Sequence, residues 1–244
     1  MDKPIFILGC TKSGTTLMRN LFDGHPDLFV IPFESHFFQN TGRGIDYSYR
    51  RTMPTNMSLD EKKQGLIDWI AFCNKRDNPI ADGFSVGRLD VDKATEHLKR
   101  ANVSDERGLS DAYSKAIHIA ARNSELPDNV DFVEKSVENA EMSTVWSGLY
   151  PQARFVHILR NPYSNLVAMR KYGSHNRNGS FPRLQNAIQA MQNSYYWLYR
   201  NRNQISNYQV LRYDDLISDV EGSMKTLSNN LGLSFIDGLT KPTM

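Results

Sequence analysis

The sequence predicts an α/β fold in which a parallel sheet is flanked by helices, with a helical insertion between the second and third strands. Three observations carry this expectation. Short apolar runs such as Ile5-Phe6-Ile7-Leu8 and Phe155-Val156-His157-Ile158-Leu159 have the length and near-continuous hydrophobicity of strands buried on both faces. Such runs alternate with segments whose apolar residues recur at helical spacing, as crossover units require. No low-complexity linker interrupts the 244 residues, a length suited to one sizeable core, so residues 1–244 read as a single domain.

The first strand, over 4–8, ends at Gly9. Residues 10–16 are small or polar apart from Lys12, and Leu17, Met18, Leu21 and Phe22 then supply the apolar face of a helix. Asp23-Gly24-His25-Pro26-Asp27 is a turn whose glycine ends that helix. A second strand over 28–31 leads into Pro32-Phe33-Glu34-Ser35-His36-Phe37-Phe38. Its acid and histidine lie just beyond a strand end, where α/β proteins place ligands. Residues 39–57, rich in Gly, Tyr, Arg and Asn without periodicity, read as a long loop belonging to a substrate lid.

The insertion occupies about 58–123. It opens with a helix capped by Ser58, whose apolar face is Leu66, Ile67, Trp69, Ile70 and Phe72. A turn-like stretch over 77–89 precedes helices over 92–101 and 110–123, the second capped by Ser110 or Asp111. With no recognisable motif, this region shapes a pocket more readily than it does chemistry. The strand pattern returns over 131–136, followed by a helix over 139–149. Residues 154–160 are the most strand-like in the chain and end in Arg160. Asn161-Pro162 supplies an N-cap and a first-turn proline for a helix to about Lys171. A polar loop over 173–180, a helix over 182–204, a strand over 208–213 and a helix from Asp214 or Asp215 to Leu231 complete the pattern.

The loop after the first strand concentrates the chemistry. Backbone N–H groups at a helix N-terminus lack intrahelical partners and point outward with the positive end of the dipole, a geometry that holds an anion. Gly9 and Gly14 have the spacing of the phosphate loop G-x-x-x-x-G-K-[ST], so the sheet is P-loop-like. Thr15 stands where that motif's lysine should follow, and the lysine is instead Lys12. No Mg²⁺-binding hydrophobic-Asp segment is evident, which makes NTP hydrolysis the weaker reading. Arg160 marks a second anion site, because a guanidinium leaving a buried strand beside another helix N-terminus grips a phosphate bidentately.

Lys12-Ser13-Gly14-Thr15-Thr16 after an apolar strand resembles the 5′-phosphosulfate loop of sulfotransferases that use 3′-phosphoadenosine 5′-phosphosulfate (PAPS). The run from Arg154 to Lys171 resembles their 3′-phosphate-binding segment. Gly24-His25-Pro26-Asp27, Glu134-Lys135-Ser136, Leu211-Arg212-Tyr213-Asp214-Asp215-Leu216 and Leu231-Gly232-Leu233 are similar, in order, to segments of one branch. That branch holds the tyrosylprotein sulfotransferases and their bacterial relatives. The resemblance spans nearly the whole chain outside the insertion.

It implies in-line transfer of a sulfuryl group from PAPS to an acceptor hydroxyl, or an amine, with no metal. Lys12 then neutralises charge on the departing oxygen, while the amides of residues 13–16, with the Thr15 and Thr16 hydroxyls, hold the 5′-phosphate. Lys135 stabilises the transferring sulfuryl oxygens, and Arg160 holds the 3′-phosphate. Ser164 is a further cofactor contact, and Tyr213 either joins it or packs. For the base, Glu34 matches the tyrosylprotein branch and His36 the cytosolic branch, and both stay open. His25 and His157 read as structural.

The chain departs from the family in two places. Ala168 stands where the family carries a serine eight residues after the arginine. The lost hydroxyl is worth about 1–2 kcal/mol of hydrogen bonding unless Ser164 or Arg170 compensates, which weakens cofactor binding without changing the cofactor. The chain also stops at Met244 where relatives continue through another loop and helix, so a C-terminally truncated fragment and a minimal version both stay open.

A formal net charge of +2 gives no global basic field and speaks against nucleic-acid binding. Cys10 and Cys73 have no metal-ligand spacing and suit reduced thiols. The apolar run after Met1 is too short for a signal peptide or a membrane span, so the expected location is cytoplasmic. The acceptor class is open among small molecules, carbohydrates, lipids and tyrosyl peptides. Phe33, Phe37, Phe38, Tyr47 and Tyr49 suggest a partly apolar acceptor pocket, and Arg43, Arg50 and Arg51 an attraction for an acidic acceptor. Two other classes stay in view: an ATP- and Mg²⁺-dependent P-loop kinase, which the displaced lysine disfavours, and a catalytically weak nucleotide-binding module, which Ala168 favours.

Overall fold

Strand β1 (Ile5–Gly9) is buried along its whole length and alternates its side chains between two cores. Phe6 and Leu8 face a cluster that includes Phe132, Trp146, Tyr150 and Phe155, whereas Ile5 and Ile7 face Met18, Leu21, Phe22, Val156 and Met224. Burial on both faces explains why this strand reads as a continuous apolar run and not as an alternating one. The ring of Phe6 stacks on Trp146 at 4.4 Å and on Phe155 at 5.5 Å between centroids.

The computed structural model describes residues 1–46, 51–75, 89–175 and 183–243. Besides β1, the sheet contains β2 (Leu28–Val30), β5 (Asp131–Lys135), β6 (Arg154–Leu159) and β7 (Tyr208–Arg212); β3 (Arg43–Asp46) and β4 (Arg51–Pro54) form a separate antiparallel pair. The five-stranded sheet is parallel throughout, in the order β2-β5-β1-β6-β7. Its flanking helices include α1 (Thr15–Phe22), α6 (Asn139–Leu149), α7 (Pro162–His175), α8 (Leu184–Gln204), α9 (Tyr213–Ser218) and α10 (Val220–Leu231). Between β2 and β5 lie α2 (Phe37–Asn40), the β3–β4 hairpin, α3 (Leu59–Cys73), α4 (Val91–Arg100) and α5 (Glu106–Arg122). The expected α/β architecture and the helical insertion are therefore present.

The register fixes where ligands go. Ile7 lies opposite Lys135 and Val156, Gly9 opposite Ile158, and Leu159 opposite Arg212. Gly9, Lys135, Arg160 and Tyr213 thus leave the sheet at one edge, the carboxyl end of its central strands, where the strand order reverses around β1.

Several sequence expectations need correction. The loop expected over 39–57 contains the β3–β4 hairpin, which pairs Ile45 with Thr52 and Gly44 with Met53. Ile45 alone of β3 is buried, so the hairpin has no alternating pattern to betray it. Helix α5 starts at Glu106, and its N-cap is Asp105, which accepts from the Gly108 amide at 2.7 Å; Ser110 and Asp111 lie inside the helix. The helix expected from 214 to Leu231 is two, because Asp219 ends α9 and caps α10 through the Gly222 amide at 2.8 Å.

Ser58 does form a capping box with Glu61, and Asn161 caps α7 through the Tyr163 and Ser164 amides. His157 is buried against the Tyr208 hydroxyl at 2.6 Å, and His25 accepts from the Asp27 amide while its other ring nitrogen faces the Ser234 carbonyl. Phe33, Phe37 and Phe38 are buried core residues, and Phe37 and Phe38 pack against Trp146. Arg43 pairs with Glu106 at 2.9 Å. Tyr47, Tyr49, Arg50, the side chain of Arg51, the turn-like stretch over 77–88, the loop over 176–180 and Pro182 lie outside the described residues. Among the described residues no helix is long and apolar enough to cross a membrane.

Candidate active site

The loop between β1 and α1 is built on unusual backbone geometry. Gly9 and Gly14 have φ of 147° and 110°, and Lys12, not a glycine, has φ of 65°. A left-handed lysine costs roughly 1–2 kcal/mol, a strain found where the fold over-determines a functional conformation. The Ser13 amide closes a turn onto the Cys10 carbonyl at 3.0 Å. Helix α1 begins at Thr15, so the amides of its first turn open beside Lys12. Gly14 is obligatory here: a Cβ at this position would lie 2.4 Å from the Tyr213 ring.

Arg160, at the end of β6, joins this loop directly. Its Nη1 donates to the Lys12 carbonyl at 2.8 Å, and its guanidinium stacks over the Tyr213 ring at 4.4 Å. Tyr213 therefore packs against both Gly14 and Arg160. Lys12, Gly14, Thr15, Thr16, Glu34, Lys135, Arg160 and Tyr213 all line one cavity of about 210 Å³. A neighbouring groove of about 510 Å³ shares Arg160 and continues past Asn161, Tyr195, Leu198 and Arg212.

The strand end Glu134-Lys135-Ser136 holds the segment Glu34-Ser35-His36 residue by residue. Glu134 accepts from the Ser35 amide at 3.2 Å and its hydroxyl at 2.6 Å, and Ser136 accepts from the His36 amide at 3.1 Å. Lys135 donates from Nζ to Glu34 Oε1. Neutral donors, Asn139 and Ser136 among them, also satisfy the Glu134 carboxyl, whose pKa burial pushes up. The Glu34 carbonyl accepts from Trp69 Nε1 at 2.8 Å, which completes the clamp.

His36 sits between two carboxylates. Its Nε2 lies 3.3 Å from Glu34 Oε2, and its Nδ1 lies 2.9 Å from Glu138 Oε1. Burial pulls its pKa down, but the charge of Glu138 and the hydrogen bonds to both carboxylates outweigh that and raise it to about 10. Burial pushes Glu34 up in the same way, yet the hydrogen bond from His36 and the charge of Lys135 hold it at about 2. Both nitrogens of His36 face carboxylate oxygens. Of the two candidate bases, Glu34 is the one whose carboxylate lines the cavity.

Not every expected residue reaches the site. Ser13 is buried and lines no part of the cavity; it shapes the turn. Ser164 is exposed on α7 and is not among the residues that line the cavity or the groove, and Ala168 is followed one turn later by Tyr172. Tyr172 is a residue sequence reasoning missed: its ring lies 4.1 Å from Lys12 Nζ and lines the cavity with Thr11, Leu17 and Val137. Glu138 was missed too. Its one signal in the sequence is a second acid four residues after Glu134, just past a strand end.

Three cations and a helix N-terminus converge on a cavity whose wall holds one carboxylate. Arg160, which lines the cavity, has a buried Nε without a hydrogen-bond partner. An anionic ligand fits these groups.

Comparison with known proteins gives a concordant result. The model of the sulfotransferase family matches residues 4–237. Among solved structures, the chain is similar to the sulfotransferase domain from the curacin biosynthetic pathway, with a TM-score of 0.63, 20% identity, and coverage of 100% of this chain and 78% of that one. The sulfotransferase domain of the Synechococcus PCC 7002 olefin synthase is similar at TM-score 0.62 and 18% identity, over 99% of this chain and 78% of that one. A mouse sulfotransferase complexed with PAP is similar at TM-score 0.50 and 14% identity, over 97% of this chain and 61% of that one. Comparison with curated protein sequences gives no match.

Proposed function

The chain belongs to the sulfotransferase family, and from that premise we propose that it moves a sulfuryl group from PAPS to an acceptor hydroxyl. The observation that carries this reading is the single cavity in which Lys12, Lys135 and Arg160 meet the first turn of α1 and the Glu34 carboxylate. The PAP complexed with the mouse sulfotransferase supports a 3′-phosphorylated donor. PAPS supplies a sulfuryl group on a phosphate leaving group: the acceptor oxygen bonds to sulfur as the sulfur–oxygen bond to the 5′-phosphate breaks.

The chain's own residues then divide the work. The α1 amides, with Thr15 and Thr16, hold the 5′-phosphate, and Lys12 offsets the charge its bridging oxygen acquires. Arg160 carries the 3′-phosphate, so its bond to the Lys12 carbonyl ties the two anion sites together. Lys135 serves the sulfuryl oxygens. As it turns from Glu34 toward them, Glu34 loses a counter-charge and its affinity for the acceptor's proton rises. The proton ends on the Glu34 carboxylate, and the products are a sulfate ester and adenosine 3′,5′-bisphosphate. The proposed location is the cytoplasm.

An acceptor screen with labelled PAPS, covering phenols, sugars, lipid alcohols and tyrosyl peptides, tests this directly. At least one acceptor is expected to gain label, with a rate that falls on the order of a hundred- to a thousandfold in Lys12→Ala. Label transfer that is indifferent to Lys12 sinks the proposal.

A further inference from the structure

We propose that Glu138 is a positioning residue for the transfer: it keeps His36 doubly protonated, so that the imidazolium donates to Glu34 and fixes that carboxylate where it takes the acceptor's proton. The inference rests on Glu34 acting as the base.

The geometry is a buried chain of alternating charge. Glu138 presents both carboxylate oxygens to His36 Nδ1, at 2.9 and 3.0 Å, and its side chain is 1% exposed. His36 Nε2 faces Glu34 Oε2 at 3.3 Å, and the other Glu34 oxygen receives Lys135. Each oxygen of the base is therefore assigned to a different donor, and one of these donors depends on a residue that never touches the cavity. His36 itself is held in a left-handed conformation with φ of 45°, at the start of α2, and the Trp69 ring meets it edge-on at 5.0 Å. Such a conformation persists when surrounding groups over-determine it.

The logic follows from hydrogen-bond roles. A neutral imidazole has one donor and one acceptor nitrogen. Between two carboxylates it would turn a lone pair toward one of them, whereas the imidazolium donates to both. Other titratable groups around the pair are Lys135 and Glu134 on β5, Cys73 on α3 and Tyr113 on α5. Lys135 is the cation among them and binds the far oxygen of Glu34; both carboxylates favour the charged ring, Glu138 at 2.9 Å more strongly than Glu34 at 3.3 Å.

Ring-nitrogen NMR shifts of His36, assigned by difference with His36→Gln, test this without any turnover. At about pH 8, above the ordinary histidine range, both nitrogens are expected at imidazolium positions in the wild type and at neutral-tautomer positions in Glu138→Gln. A neutral ring in the wild type, or an unchanged imidazolium in Glu138→Gln, overturns the proposal. Should Glu138→Gln fail to fold, the wild-type spectrum alone decides.

In turnover, Glu138→Gln is expected to lower kcat on the order of ten- to a hundredfold with the donor KM unchanged. It also gains an alkaline limb near neutral pH that the wild type lacks. A kcat and pH profile equal to wild type, or a uniform loss at every pH, contradicts the positioning role. Absence of any sulfuryl transfer would instead remove the functional reading, and the ring-nitrogen shifts would still report on Glu138.

Discussion

At Glu34 and His36 the physical question is what a buried ion pair does to stability as pH changes. The ordinary values are 4.5 for the carboxylate and 6.5 for the imidazole, and the folded chain moves them apart, to about 2 and about 10. A raised imidazole stabilises the fold fully below pH 6.5 and loses that contribution as pH climbs through about 10. A lowered carboxylate stabilises fully above pH 4.5 and loses its contribution as pH falls through about 2. The melting-temperature advantage of wild type over His36→Gln is therefore expected to be widest between pH 4.5 and 6.5 and to shrink on both sides. Thermal melts of the two proteins across that range check it, and a gap that stays constant from acid to alkaline pH contradicts it. Much at this scale was legible in the sequence. Lys12, Glu34, Lys135 and Arg160 each lie at or just past a strand end, and strand ends are what apolar patterning locates best. Glu138, at the turn before α6, and Tyr172, on α7, escaped because they act through side-chain reach, and no local spacing encodes what such a side chain meets.

Elements show the same division between local rules and distant contacts. The central strands β1 and β6 were readable because burial on both faces leaves near-continuous apolar runs. The β3–β4 hairpin was not, since its stability lies in backbone pairing and one buried isoleucine. The start of α5 was hidden for another reason: Gly108 in the first turn argues against a helix, although the Asp105 carboxylate uses its amide as the cap. Asp105→Ala is expected to cost about 0.5–2 kcal/mol in denaturant unfolding and to leave nucleotide affinity unchanged, because the cap lies outside the cavity. Gly14→Ala is expected to do both kinds of damage. The new Cβ would combine a φ of 110° with a 2.4 Å approach to Tyr213, the ring that also supports Arg160. A lowered melting temperature with weakened adenosine bisphosphate binding, by calorimetry, is the expected result. Wild-type stability and affinity in Gly14→Ala would show that the loop and Tyr213 are not packed as described.

For the whole molecule, the central claim is that the sheet brings two anion sites to one edge and joins them. Strand order places β1 between β5 and β6, and the loops leaving all three converge. The Arg160 bond to the Lys12 carbonyl makes the convergence physical. A ligand with phosphates at both ends of one adenosine should exploit it, and a ligand with one phosphate should not. Calorimetric titration of adenosine 3′,5′-bisphosphate against 5′-AMP, in wild type and Arg160→Ala, measures this most directly. The account predicts that wild type prefers the bisphosphate by roughly ten- to a hundredfold, the value of a charge-assisted contact worth about 1.5–3 kcal/mol, and that Arg160→Ala abolishes the preference. Equal affinity for the two nucleotides in wild type, or a preference that survives in Arg160→Ala, would contradict it.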